Sequence, residues 1–402
     1  MIYNLRVEKE PIRPVVYALG LYFFLGGMDS FEIGIGSILR IIALIPLAMA
    51  LFDLRKLRIR FCATLVFQLF FWLLALVSLL YSVKIDYTIS SAKTISLNLT
   101  VVFVFGMMYQ YNQRELNFIQ NALLAGGWLT LALMCLFPGE HDNGRLTLQV
   151  GEGTQDFNFI TGYFLYTFSW HSHKMLLERK RLHVIPVIFV LVIVLLTGSR
   201  GGLLSLVVVF FVHICVNFAH SKHTIRNIIL TVVFISVLLV SFDFILTLLP
   251  ESVAERFSWD YIAENGTTGR SAIWAFLLRH FSEDSILRML FGHGYGTVTI
   301  VNTHNSLVAH NLYLENLIAL GIVGLLLQLI MQASVIRLLL KYRLYTLLGA
   351  YMGMLCMCLT LSLVAYKPIW NIMLVTVAID FFEKSKGRSP ASSIRITQEA
   401  SQ

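Results

Sequence analysis

Apolar stretches near the length a helix needs to cross a bilayer recur along nearly the whole chain, separated by short polar blocks. The pattern predicts an all-α, polytopic integral membrane protein with about twelve transmembrane helices. They are expected at roughly 14–28, 33–52, 61–82, 93–110, 118–137, 159–170, 184–198, 202–218, 228–249, 311–336, 346–364 and 368–383. Several of these are short by hydropathy, so flanking polar residues must extend them or the helices must tilt. Residues 1–383 thus form one transmembrane helical domain with two larger loops, 138–158 and 250–310. The hydrophilic tail 384–402 is expected to be disordered.

Composition agrees. Apolar residues make up 57% and charged residues 13% of the chain, against roughly 25% charged in soluble domains. The start, MIYNLRVEKEPIRP, is basic and polar, with no cleavable signal segment evident. The five cysteines (Cys62, Cys135, Cys215, Cys356, Cys358) lie inside apolar runs without metal-ligand spacing. The net charge of +8 does not point to nucleic acid, because it is spread over blocks that orient helices. One alternating set of segments holds 21 of the 31 Lys and Arg, from Arg6, Lys9 and Arg13 to Lys384, Lys386, Arg388 and Arg395. That side is expected to be cytoplasmic and to hold both termini, which makes loops 138–158 and 250–310 periplasmic. The expected location is the bacterial inner membrane.

The remaining basic residues offer chemistry. Arg145, Arg200 and Arg270 each sit beside a turn-forming glycine near a helix mouth on the outer side. A guanidinium presents a planar fork of donors suited to phosphate and stays charged when partly desolvated. Arg256, Arg279 and Arg288 read as solvated charges of a long loop. His310 stands where polar loop gives way to apolar helix. If the segment is helical from there, His310, Leu314, Leu317, Gly321 and Gly324 form one stripe, with the glycines allowing close helix approach. Tyr295 and Trp274 can stack on sugars or anchor the interface. No nucleotide loop, HExxH pattern or serine elbow occurs, so neither metal nor another cofactor is expected. An arginine-lined pocket with one base suits a lipid-linked substrate that departs as a diphosphate.

Three segments carry a family resemblance: TGSRGG at 197–202; TTGRSAIW at 267–274 leading into LFGHGYG at 290–296; and HNLYLENLIALGIVG at 310–324. The chain resembles the O-antigen ligase and Wzy-type O-antigen polymerase superfamily of lipid-linked oligosaccharide glycosyltransferases. The last segment carries the family spacing of histidine, small polar residue, nine residues, glycine, two residues, glycine. A looser match is NGRLTLQVGEGTQDFNFITG at 143–162.

The resemblance implies glycan transfer from an undecaprenyl-diphosphate donor at the outer face of the inner membrane, without metal or ATP. Arg145 and Arg270 would engage the diphosphate, Arg200 would assist electrostatically or hold its turn, and His310 would activate the acceptor hydroxyl. Asn311 and Glu315 are supporting candidates, and His304, in a second His-Asn pair, is an alternative base. The acceptor is a lipid A-core in a ligase and another lipid-linked repeat unit in a polymerase of O-antigen, capsule or exopolysaccharide. Membrane lipids and glycan-assembly proteins are the expected partners. A flippase or transporter of lipid-linked sugars is the alternative of another class, and a purely structural subunit the third.

Overall fold

The computed structural model describes residues 11–386 apart from 30–31, 34–35, 54–56, 142–143, 151–152, 155, 221–228, 230–231, 233–235, 237–243, 259, 263–268 and 364–365. The main helices are α1 (Pro14–Phe24), α2 (Ile38–Phe52), α3 (Ala63–Val77), α4 (Ile85–Val101), α5 (Gln113–Leu136), α6 (Phe157–Leu176), α7 (Val184–Leu196) and α8 (Arg200–His220). After the short α9 (Glu251–Ala254) come α10 (Arg270–Glu283), α11 (Ile286–Phe291), α12 (Val298–Val301), α13 (Leu312–Lys341), α14 (Tyr345–Cys358) and α15 (Lys367–Ser385).

Among the described residues, five helical stretches are long and apolar enough to cross a membrane: Ala63–Leu80, Ile85–Met108, Gln113–Leu136, Arg200–Ala219 and Leu312–Lys341. The protein is therefore a helical, polytopic membrane protein. The span expected at 228–249 lies largely outside the described residues, as does the tail beyond Lys386. The helix expected from residue 93 begins at Ile85 instead. Its first two turns carry Asp86, Thr88, Ser90 and Ser91, too polar to register by hydropathy.

Helix α15 is buried on every face from Lys367 to Phe382, as expected of a helix apolar around most of its circumference. Gly106, in the π-helical continuation of α4 over Val102–Met108, brings that segment against the backbone of Leu374. Charged residues are confined largely to the bundle ends. At one end Arg13 pairs with buried Glu115, and Lys341 and Lys384 flank buried Asp380. At the same end Arg60 donates to the carbonyl of Phe381 at 2.8 Å. These residues come from the basic set of segments, so four of its members meet at one end of the bundle.

At the opposite end the expected loop 138–158 is largely a sheet, which corrects the purely α-helical reading. Strands β3 (Pro138–His141), β4 (Arg145–Val150) and β5 (Gly153–Thr154) pair antiparallel in the order β3-β4-β5. An earlier two-stranded ribbon pairs β1 (Glu32–Ile33) with β2 (Gly36–Ser37). In the β3-β4 pair His141 lies opposite Arg145, and Gly144 ahead of β4 has φ +64°. Alternation along β4 gives Arg145 and Thr147 one face and Leu146 and Leu148 the other. Glycine and polar residues suggest a loop by composition, yet the segment pairs as strands and buries Arg145, Thr147 and Leu148.

The stripe expected from His310 to Gly324 does not form. His310 lies ahead of the helix with φ +48°, Asn311 is the N-cap, and Gly321 breaks the helix with φ +69° and ψ −167°. The break leaves the carbonyls of Ile318 and Ala319 without their helical partners. His293 and Gly294 donate their backbone N–H groups to those carbonyls at 3.1 and 2.9 Å. A Cβ on Gly321 would lie 2.3 Å from the Leu290 carbonyl, and one on Gly292 2.4 Å from that of Ala319. Close approach is thus made to a glycine turn and the end of α11.

Candidate active site

Three peptide segments from different parts of the chain meet at the bundle end that carries the sheet. The turn between α7 and α8 is locked first. Thr197 Oγ1 donates to Val194 O at 2.6 Å, and Ser199 Oγ donates to Asn158 Oδ1 at 2.8 Å while accepting from Gly202 N at 3.1 Å. Gly198, at φ +60°, exposes two carbonyls to guanidinium groups. Arg145 Nε donates to Thr197 O at 2.8 Å, and Arg256 Nε donates to Gly198 O at 3.2 Å. A Cβ at Gly198 would stand 3.0 Å from Arg145 Nε and 3.3 Å from Arg256 Cδ. Only glycine fits both the backbone angle and this crowding.

Holding the turn by bonds to its carbonyls is therefore the work of Arg145 and Arg256. Arg200 was the sequence candidate for that role. It opens α8 and lies 5.9 Å from the centre of the Tyr261 ring, with Arg256 5.7 Å from the same ring. Arg256 belongs to this group and is not the solvated loop charge expected from sequence. A chain position inside a long loop gives no sign of the turn it returns to.

Arg270 opens α10 behind Gly269, whose φ is +79°. Burial lowers its basicity, and the positive charges of Arg200 and then Arg256 lower it further, against the opposing pull of Asp156. Burial pushes the Arg145 guanidinium down to about 9, with Arg256 the next cause and Arg200 a smaller one. A guanidinium surrenders its proton very reluctantly. Such crowding instead favours binding of an anion. Arg145 also lies over the Phe157 ring, is 3% exposed, and keeps its buried Nη2 without a hydrogen-bond partner among the described residues.

The fifth component is His310. Its neighbours fix the backbone on both sides. Ala309 N donates to Glu315 Oε2 at 2.9 Å and Trp274 Nε1 donates to Ala309 O at 2.8 Å. Asn311 Oδ1 accepts from Tyr313 N and Leu314 N, and Asn311 Nδ2 donates to Leu359 O at 3.2 Å. Glu315 Oε2 also accepts from Ser362 Oγ at 2.9 Å. Glu315 and Asn311 thus anchor the histidine loop, and Trp274 ties it to the helix of Arg270. Held this way, His310 adopts a left-handed backbone that costs a non-glycine residue of order 1–3 kcal/mol. Its half-buried imidazole makes no hydrogen bond among the described residues.

Burial first, then Arg270, lowers the His310 pKa from 6.5, against the pull of Asp156. Asp156, exposed at the N-cap of α6, is the acid facing this cluster. Burial and Arg270 both favour the neutral imidazole, the form able to accept a proton. His304 is exposed and stacked 6.0 Å from Phe276. Tyr295 is 3% exposed against Phe71, which removes it from sugar contact.

Residues 185–329 match the family described as O-antigen ligase, Wzy_C. The chain carries an O-antigen ligase family segment. This Wzy_C segment contains Arg200, Arg256, Arg270 and His310, and runs from the start of α7 past the break at Gly321. Arg145 enters from outside it. The match supports the assignment to the O-antigen ligase and Wzy-type polymerase superfamily, whose enzymes act on lipid-linked glycans. No curated protein is matched by the chain.

Proposed function

We propose that the protein transfers a glycan from undecaprenyl diphosphate to a lipid A-core hydroxyl on the periplasmic face of the inner membrane, as an O-antigen ligase-like glycosyltransferase. The observation that carries this reading is the meeting of Arg145, Arg200, Arg256 and Arg270, with Arg270 acting on the His310 imidazole, which makes no hydrogen bond among the described residues. The donor diphosphate would occupy the space toward which the spare donors of Arg145 and Arg270 are available. As the acceptor oxygen forms its bond to the anomeric carbon, the bond from that carbon to the diphosphate oxygen breaks. The acceptor proton passes to His310, and the growing negative charge on the diphosphate is stabilised by guanidinium groups already in place. Their preorganisation means that little rearrangement is needed as charge develops.

The lipid-linked repeat unit of a Wzy-type polymerase would use the same donor site. The description O-antigen ligase favours the core acceptor. Deletion of the gene and analysis of the surface glycan separates the two: uncapped core is expected, whereas core bearing a single repeat would assign polymerisation. A strain with unchanged long-chain glycan would reject both. A flippase would use the same positive charge but would need charged groups along a route through the bundle.

The distribution of the basic segments supports this face. In a background without native cysteines, Ser285→Cys should react with a membrane-impermeant thiol reagent in cells with a permeabilised outer membrane. Gln113→Cys, at the exposed start of α5, should stay protected until the inner membrane is opened. The reverse pattern would turn the site to the cytoplasm.

A further inference from the structure

Away from the arginines, a second cluster joins the far end of α10 to the glycine turn. We propose that His280, Asp284 and His293 bind one zinc ion, which clamps the helix carrying Arg270 to the turn that supports the broken helix α13. One ligand atom from each residue lies within 4.8 Å of the other two. His280 and Asp284 are four residues apart at the end of α10, so they face the same way. The His280 and His293 rings are 5.1 Å apart and tilted by 37°. Two imidazoles and one carboxylate form a donor set that zinc takes readily, with the fourth position left to water.

The site is built in advance. His293 donates its N–H to Ile318 O and accepts from Val83 N at 2.9 Å through its carbonyl. Gly292 and Gly294, at φ +78° and +112°, frame it where a Cβ would collide with Ala319 and Ser82. The side chains of His293 and Asp284 are only 2% and 7% exposed, while His280 is half-buried.

The competing account is a hydrogen-bonded chain from Arg288 through His293 to Asp284. His293 Nε2 lies 2.8 Å from Asp284 Oδ2, and Arg288 Nη1 lies 3.4 Å from His293 Nδ1. That chain uses the acid and one imidazole but gives His280 no part. The Arg288 contact is at the limit of a hydrogen bond, and its exposed side chain can swing away. Its charge opposes a cation, and this gives the two accounts opposite expectations.

The test uses full-length protein in detergent, purified through a tag without histidine and stripped with chelator. Titration with Zn²⁺ should show one ion per chain. His293→Ala and Asp284→Asn should each weaken binding by about tenfold or more, whereas Arg288→Ala should bind as tightly or more tightly. Zn²⁺ should also raise the melting temperature of the native protein and leave that of the variant lacking all three ligands unmoved, because binding to the folded state alone stabilises it. Equal Zn²⁺ binding by the native protein and that triple variant would overturn the proposal. So would undiminished affinity in both Asp284→Asn and His293→Ala.

Discussion

His310→Gln should stop glycan transfer while leaving the protein folded and able to retain its lipid-linked donor. Glutamine keeps a hydrogen-bonding side chain of similar reach but accepts no proton near neutral pH. The imidazole makes no hydrogen bond among the described residues, so its replacement breaks none of their bonds. Asn311, Glu315 and Trp274 hold the loop through the backbone of its neighbours. Loss of a general base costs about two to four decades in rate, and His310→Ala should be as inactive as His310→Gln. His304→Ala should keep most activity, since His304 is exposed and packs on Phe276. If the imidazole merely anchored its loop, glutamine would restore much of the function and the two histidine variants would be similarly harmful. Complementation of the deletion strain, with protein level and donor binding measured separately, distinguishes these outcomes.

Arg270→Ala should lower turnover by about two decades, the equivalent of about 3 kcal/mol for one charge contact in a preorganised site. Lysine should rescue part of the loss, because it restores charge without the forked geometry. Arg279→Ala, one face away on the same helix and exposed, should be mild.

Arg270 has a second, separable effect through His310. After burial it is the largest cause lowering the histidine pKa. In the proposed reaction the neutral imidazole is the active form, so transfer in the native enzyme should fall only as pH drops below the ordinary histidine value of about 6.5. Removing the positive charge raises the histidine pKa, so the acid limb of residual Arg270→Ala activity should move to higher pH. An unchanged pH profile at normal protein level would separate the two residues, and full activity of Arg270→Ala would remove it from the site.

The apolar runs made most of the helical framework legible because burial in lipid leaves few other ways to satisfy the backbone. The candidates Arg145, Arg200, Arg270 and His310 could be named from sequence, since each stands beside a turn or helix mouth where a charge has no topological reason to be. Their convergence could not. Arg256 returns to Gly198 from the loop after α9, a contact that local spacing cannot reveal.

The break at Gly321 was hidden for a different reason. A glycine in an apolar run reads as a small residue for helix packing, and only its positive φ shows that the helix stops there. Gly292, Gly294 and Gly296 were the available signal. Three glycines at alternate positions imply a turn with N–H groups to give, and two of these groups found the carbonyls of the broken helix. His280, Asp284 and His293 escaped notice because their spacing resembles no established ligand motif, although the same turn brings them together.

The most direct test of the site is a single-turnover reaction with purified enzyme, an undecaprenyl-diphosphate-linked glycan and a supplied lipid A-core acceptor. Native protein should release one undecaprenyl diphosphate for each glycan transferred, with no added ATP, and His310→Gln should bind the donor without forming product. Robust transfer by His310→Gln would contradict the assignment of His310 as the base.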